Sequence, residues 1–225
     1  MIAKAGLKKP RSFEKLKSEL HIHQQMNNEH VCTFRRYFED AQNIYMMLDI
    51  CQNQSLSDLI KRRKRLHLQE ARFYLHQLIQ GVKYIHSKRV IHRDLKLGNL
   101  FLTEKMKLKI GDFGLATQLN DLSERKKSVC GTPNYLAPEL LQQDAYGVKG
   151  YSFEVDLWSI GVICFIMLVG KAPFESPDVK QTYNKIKLGM YSIPPELQIH
   201  PIAKRFIREC LTPDFQKRLT LDEML

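Results

Sequence analysis

Residues 89–117 limit most strongly what this chain can fold into. Three short apolar runs, Val90-Ile91, Leu100-Phe101-Leu102 and Leu108-Lys109-Ile110, are separated by polar and glycine clusters that fit no helical period. The pattern reads as small strands carrying loops, and loops held on a rigid scaffold are where binding and catalytic groups gather. Residues 112–139 include Gly114, Gly131 and Pro133 and show no clear period. A stretch of that length is either functional or disordered.

Helices flank these loops. Ala71, Leu75, Leu78, Val82 and Ile85 alternate steps of four and three, which predicts a helix over 69–87 with one apolar stripe. Residues 153–169 read as a buried helix, and further helices fit 179–188, 201–211 and a start at Leu221. Nearer the N-terminus, Phe13, Leu16 and Leu20 predict a helix over 12–26, with Ser12 as N-cap and Pro10 just outside. Residues 31–38 and 44–51 read as strands around a turn at 39–43. Ser55 or Ser57 caps a short helix beyond them. The expectation is an α+β chain, partly strand-forming to about residue 52 and mostly helical afterwards.

Composition excludes several classes. The 35 Lys and Arg against 24 Asp and Glu give a net charge of +11, concentrated in Lys8-Lys9 with Arg11, Lys61-Arg62-Arg63-Lys64-Arg65, and Arg125-Lys126-Lys127. Charge alone leaves open solvated faces, an acidic partner or an internal phosphate. A nucleic-acid role lacks any stacking-aromatic or recognition-helix signature. The five cysteines are scattered and form no Cys-x-x-Cys pair, so a disulfide framework or zinc module is not expected. His21 and His23 lack further ligands at metal spacing and read as ordinary helix residues. The apolar run at 157–169 is shorter than the roughly 20 residues a membrane span needs. The N-terminal residues hold no signal-peptide core, and the Asn53-Gln54-Ser55 sequon reads as chance.

The chemistry sits in Ile91-His92-Arg93-Asp94-Leu95-Lys96-Leu97-Gly98-Asn99, with Asp112-Phe113-Gly114 starting 13 residues after Asn99 and Ala137-Pro138-Glu139 further on. Three motifs in this order at these gaps resemble the eukaryotic protein kinases. The residue types suit phosphoryl transfer, which needs positioning and charge neutralisation more than covalent catalysis. Asp94 would accept or orient the proton of the attacking hydroxyl. Lys96 would reach the transferring phosphate as a point cation. Asn99 and Asp112 offer hard oxygen ligands to Mg²⁺. Lys96 together with Thr132 resembles the serine/threonine branch. Longer matches, including Ser128-Val129-Cys130-Gly131-Thr132-Pro133-Asn134-Tyr135 and Ser152-Phe153-Glu154-Val155-Asp156, resemble the polo-like subfamily.

The resemblance implies a bilobal kinase fold with a truncated N-terminal sheet lobe. Residues 1–52 would be a partial N-lobe with the hinge, and 53–225 the helical C-lobe. It also implies ATP and Mg²⁺ as cofactors. Leu48 would be the gatekeeper, backbone groups of Asp49 and Cys51 would hold adenine, and Phe101 would floor that pocket. Asp156 would brace the catalytic loop, and Glu139 with Arg218 would form a structural ion pair. Ser128 would be the activating phosphosite, paired with Arg93 and nearby basic side chains. Arg125-Lys126-Lys127 would either join that pairing or be read by an upstream activating kinase. Protein substrates, a monomeric state, a cytoplasmic or nuclear location, and a centrosomal or basal-body role are implied in the same way, with no nucleic-acid or membrane partner.

Two expected parts are missing. The first 80 residues contain one glycine, Gly6, so a Gly-x-Gly-x-x-Gly loop over the phosphates is not present. Two strands should precede the helix bearing Glu19 and are absent. Glu19 resembles the helix glutamate that pairs with a strand Lys. Lys4 could be that Lys, but polo-like kinases show Lys-x-x-x-Lys here. The preferred alignment makes Lys4 the second Lys and places the catalytic one just before Met1. The chain is thus expected to be an incomplete copy of an active kinase, or else a kinase-derived binding module with weak catalysis.

Overall fold

The computed structural model describes residues 1–7, 10–142 and 147–225, and the side chains of all of these except 10 and 11. The first basic cluster, Lys8-Lys9 with Arg11, therefore lies outside the described side chains. Three antiparallel strands, β1 (Ile2–Ala3), β2 (Phe34–Glu39) and β3 (Asn43–Leu48), form a sheet in the order β1-β3-β2. The register pairs Phe38 with Tyr45 and Ile2 with Ile44. Asp40 closes the β2–β3 turn by accepting the N–H groups of Gln42 and Asn43 at 2.8 and 2.6 Å. Helix α1 (Pro10–Gln24) follows β1. It begins two residues before the expected Ser12 cap, because proline at the first helical position gives up no hydrogen bond and already has a helical φ. Likewise, one short strand precedes this helix where none was expected.

The predicted 31–38 strand starts late. Val31 and Cys32 leave the sheet to join the other part of the molecule: Cys32 N–H donates to Ile110 at 2.8 Å, and Ile110 N–H donates to His30 at 2.8 Å. Helix α2 (Leu56–Arg63) starts at a capping box in which Ser55 and Asp58 exchange bonds, so Ser55 is the cap. Its basic end is solvated and locally paired, with Lys61 near Asp58, Arg62 on Gln54 and Arg63 on Glu70.

Helix α3 (Leu68–Ser87) buries the whole predicted stripe, and Leu78, Val82 and Ile85 are fully enclosed. Each such aliphatic side chain contributes about 1.5–3 kcal/mol by leaving water. Helices α4 (Pro138–Leu141) and α5 (Glu154–Val169) follow. Helix α5 is apolar on nearly all sides and is correspondingly buried. Gly161 lets α7 (Pro201–Cys210) approach it, because a Cβ there would sit 2.6 Å from Cys210. Helices α6 (Val179–Leu188) and α8 (Leu221–Met224) complete the helical part. Two small hairpin pairs carry the loops: β4 (Val90–Ile91) with β7 (Thr117–Gln118), and β5 (Leu100–Leu102) with β6 (Leu108–Ile110). Among the described residues no helix is long and apolar enough to cross a membrane.

Candidate active site

The loop between β4 and β5 is anchored from below by one carboxylate. Asp156, in the first turn of α5, is fully enclosed and accepts the backbone N–H groups of His92 and Arg93 at 2.9 Å each. It also accepts His86 Nε2–H at 2.8 Å. Burial opposes its ionisation, yet the bonds and charge from His86 and His92 hold its carboxyl below the ordinary value. The anchored Arg93 takes a left-handed φ of 66°, strain that persists only where the surroundings enforce it.

Above this anchor, Asp94 is nearly enclosed and every oxygen is engaged. Oδ1 accepts the Thr132 hydroxyl at 2.7 Å and its N–H at 3.1 Å. Oδ2 accepts Lys96 Nζ at 2.6 Å and Asn99 Nδ2 at 3.3 Å. Lys96 also reaches Thr132 Oγ1 at 3.0 Å. The structure thus brings Asp94, Lys96, Asn99 and Thr132 into one cluster. Asp94 already accepts an O–H proton there, and a cation stands beside it.

Asp112 also takes a left-handed φ, 62°, and its Oδ1 accepts Gly114 N–H at 3.2 Å. A Cβ on Gly114 would lie 3.4 Å from Glu19 Oε2, so α1 delivers a second carboxylate to this place. Burial, and then the charge of Asp112, push the Glu19 carboxyl up. Among the described residues no cation pairs with Glu19; Lys4 instead bonds Glu39 at 3.0 Å and the Asp40 carbonyl at 2.6 Å. Asn99, whose Nδ2 is spent on Asp94, and Asp112 carry the hard oxygen atoms that would suit Mg²⁺. No group of three or more His, Cys, Asp or Glu could hold a metal among the described residues, so nucleotide phosphate oxygens would complete the shell.

Sequence reasoning missed an aromatic column. Phe113 is fully buried between His92 and His23, with ring centroids at 5.2 and 4.6 Å, and His23 also meets Phe34 at 5.5 Å. His23 Nε2–H donates to the Cys32 carbonyl at 2.7 Å. Burial lowers its basicity against that bond, which favours a neutral ring. The available signal was spacing: His23 stands four residues after Glu19, on the same helical face.

The expected adenine-site residues have these surroundings. Leu48 is 41% exposed at the end of β3. Asp49 N–H donates to the Thr33 carbonyl at 3.0 Å, and its own carbonyl accepts the Cys32 thiol at 3.6 Å. The Cys51 carbonyl accepts Gln54 N–H at 3.3 Å, which leaves its N–H for a ligand. Phe101 packs into space that Gly111 provides, since a Cβ there would sit 2.8 Å from its ring.

Ser128 meets Arg93, whose Nη1 donates to its hydroxyl at 3.0 Å. With Ser128 unmodified, two of the neighbouring basic side chains have acidic partners of their own. Arg125 pairs with Glu154 and lies over the Phe215 ring, and Lys126 pairs with Glu124. Glu124 stands two residues before Lys126, whereas Glu154 reaches Arg125 from the first turn of α5, 29 residues along the chain. Glu139 and Arg218 form a two-pronged pair at 2.7 and 3.1 Å, both side chains almost fully enclosed.

A family model described as the protein kinase domain matches residues 1–225, and the chain belongs to that family. All 225 residues are 52% identical to "Probable serine/threonine-protein kinase CCRP1" of Zea mays, of which they cover 35%. They are 49% identical to serine/threonine-protein kinase PLK1 of Xenopus laevis, covering 36%, and 47% identical to serine/threonine-protein kinase polo of Drosophila melanogaster, covering 38%. The relatives are thus serine/threonine kinases of polo-like type, and the chain spans about a third of their length.

Proposed function

We propose that this chain is the catalytic domain of a polo-like serine/threonine kinase that moves the γ-phosphoryl group of ATP to protein Ser and Thr hydroxyls. The observation that carries the reading is the Asp94–Thr132–Lys96 cluster with its bonds of 2.6–3.1 Å. Asp94 takes the proton of the incoming hydroxyl, and Lys96 stabilises charge on the transferring group. Asn99 and Asp112 would hold Mg²⁺, which when bound neutralises phosphate charge. Leu48, the Asp49 carbonyl, the Cys51 N–H and Phe101 receive adenine. Residues 1–52 act as a partial N-lobe with hinge and 53–225 as C-lobe. Ser128, beside Arg93, is the site an upstream kinase modifies. One relative, from Saccharomyces cerevisiae, is named a cell cycle serine/threonine-protein kinase. A monomeric cell-cycle kinase of cytoplasm or nucleus, working at centrosomes or basal bodies, follows by analogy.

A second reading has one observation in its favour. Glu19 lacks a cation among the described residues while Lys4 is tied to Glu39, which suits a weakly catalytic binding module. Incubation with γ-labelled ATP, Mg²⁺ and casein separates the two. The kinase reading predicts label in phosphoserine and phosphothreonine and none in phosphotyrosine. No transfer at any enzyme concentration would leave the binding module.

A further inference from the structure

Arg93 is held in an unusual way for a cation beside a reaction centre. No carboxylate pairs with it among the described residues. Its three side-chain bonds go to neutral acceptors: the Leu115 carbonyl at 2.6 Å, the Ser128 hydroxyl at 3.0 Å and the Tyr151 hydroxyl at 3.0 Å. Tyr151 is only 1% exposed, and its own bonding is complete. It donates to the Ser128 carbonyl at 2.7 Å and accepts from Arg93, and its oxygen stands 3.2 Å from Ser128 Oγ.

The backbone is built to put that hydroxyl there. Lys126 and Tyr151 exchange backbone bonds at 2.8 and 2.9 Å. The pairing needs Gly150, whose φ is 80° and where a Cβ would lie 2.5 Å from the Lys126 carbonyl. Three residues beyond Ser128, Gly131 closes onto the Arg93 carbonyl, and Thr132 then bonds Asp94. A continuous set of contacts therefore runs from Tyr151 through Arg93 and Ser128 to the catalytic aspartate.

We propose that Tyr151 is a positioning residue: its buried hydroxyl clamps Arg93 to Ser128 and orders residues 124–132 while Ser128 is unmodified. The clamp does with a neutral hydroxyl what a phosphate on Ser128 would do with two negative charges, since both give the guanidinium an acceptor that fixes the segment. The catalytic consequence rests on the kinase reading above. The clamp itself does not.

The test compares the wild-type chain, Tyr151→Phe, and Tyr151→Phe with Ser128→Asp. The phenylalanine keeps the packed ring and deletes one oxygen. Amide exchange of residues 124–131 should quicken about tenfold in Tyr151→Phe, the scale of a lost hydrogen bond. Exchange in α3 and α5 should not change, and the added Ser128→Asp should restore protection. In phosphotransfer to casein, kcat should fall while KM for ATP stays put, with recovery in the double variant. Unchanged exchange at 124–131, an equal rise throughout the helices, or no restoration by Ser128→Asp overturns the clamp. If none of the three chains transfers phosphate, the kinase reading fails and the exchange pattern alone decides the role of Tyr151.

Discussion

The catalytic loop and the carboxylate pair beside α1 treat charge in opposite ways. In the loop and the helices that brace it, every buried carboxylate among the described residues has donors: Asp156 in α5 takes two N–H groups and a histidine, Asp94 in the loop takes a lysine and a threonine, and Glu139 in α4 takes Arg218. At the other place burial and then the charge of Asp112 oppose ionisation of Glu19, and among the described residues Glu19 has no cation. The first arrangement is complete within the chain. The second would be relieved by added positive charge, from a cationic side chain or a bound metal ion.

The comparison can be broken most severely at the buried pair. Arg218→Ala leaves Glu139 enclosed and uncompensated, a change that costs about 3–5 kcal/mol. For a chain of this length that is a fall on the order of 10 °C in melting temperature, read by calorimetry. A shift of only a degree or two would mean that the C-terminal charges are not coupled as described. At the start of α2, Ser55→Ala removes one half of a capping box and should cost about 1 kcal/mol in urea unfolding, without a change in m-value.

The finest probe is pH. Asp156 has a lowered carboxyl value, so the stability it contributes is present above the ordinary aspartate value of 3.8 and is lost as pH falls through its folded value. Glu19 is raised, so the folded state holds its proton longer, and stability drops as pH climbs from the ordinary 4.5 through the raised value. Glu19→Gln should abolish that drop and leave the protein slightly more stable at pH 7. Unfolding midpoints measured from pH 4 to 7 check it. A variant less stable than wild type at pH 7 would show that Glu19 has a partner that its burial hides.

Much of the site was legible because the chemistry narrows the choice of residues. Asp94, Lys96, Asn99 and Asp112 occupy positions that few other side chains could serve, and Asp156, Glu139 and Arg218 follow from the same pattern. The helices were legible where a long apolar stripe repeats, as in α3. What escaped depends on contacts between distant segments. Val31 and Cys32 have strand-like side chains but bond Ile110, and no period along the chain reports a partner 79 residues away from Val31. The pairing of Arg125 with Glu154 joins segments 29 residues apart and leaves no mark in the sequence. His23 and Tyr151 carry ordinary neighbours in sequence and acquire their roles only when α1 meets Phe113 and when Gly150 brings Tyr151 to Lys126.

Asp94 is the proposed proton acceptor of the transfer site. The direct measurement is the rate of phosphate transfer from ATP·Mg²⁺ to casein by the wild-type chain and by Asp94→Asn, both shown to be folded by circular dichroism. The arrangement predicts transfer by the wild type and a loss of about 10²–10⁴-fold in the variant, the usual worth of a positioned acid–base group. Equal rates in the two chains would contradict it.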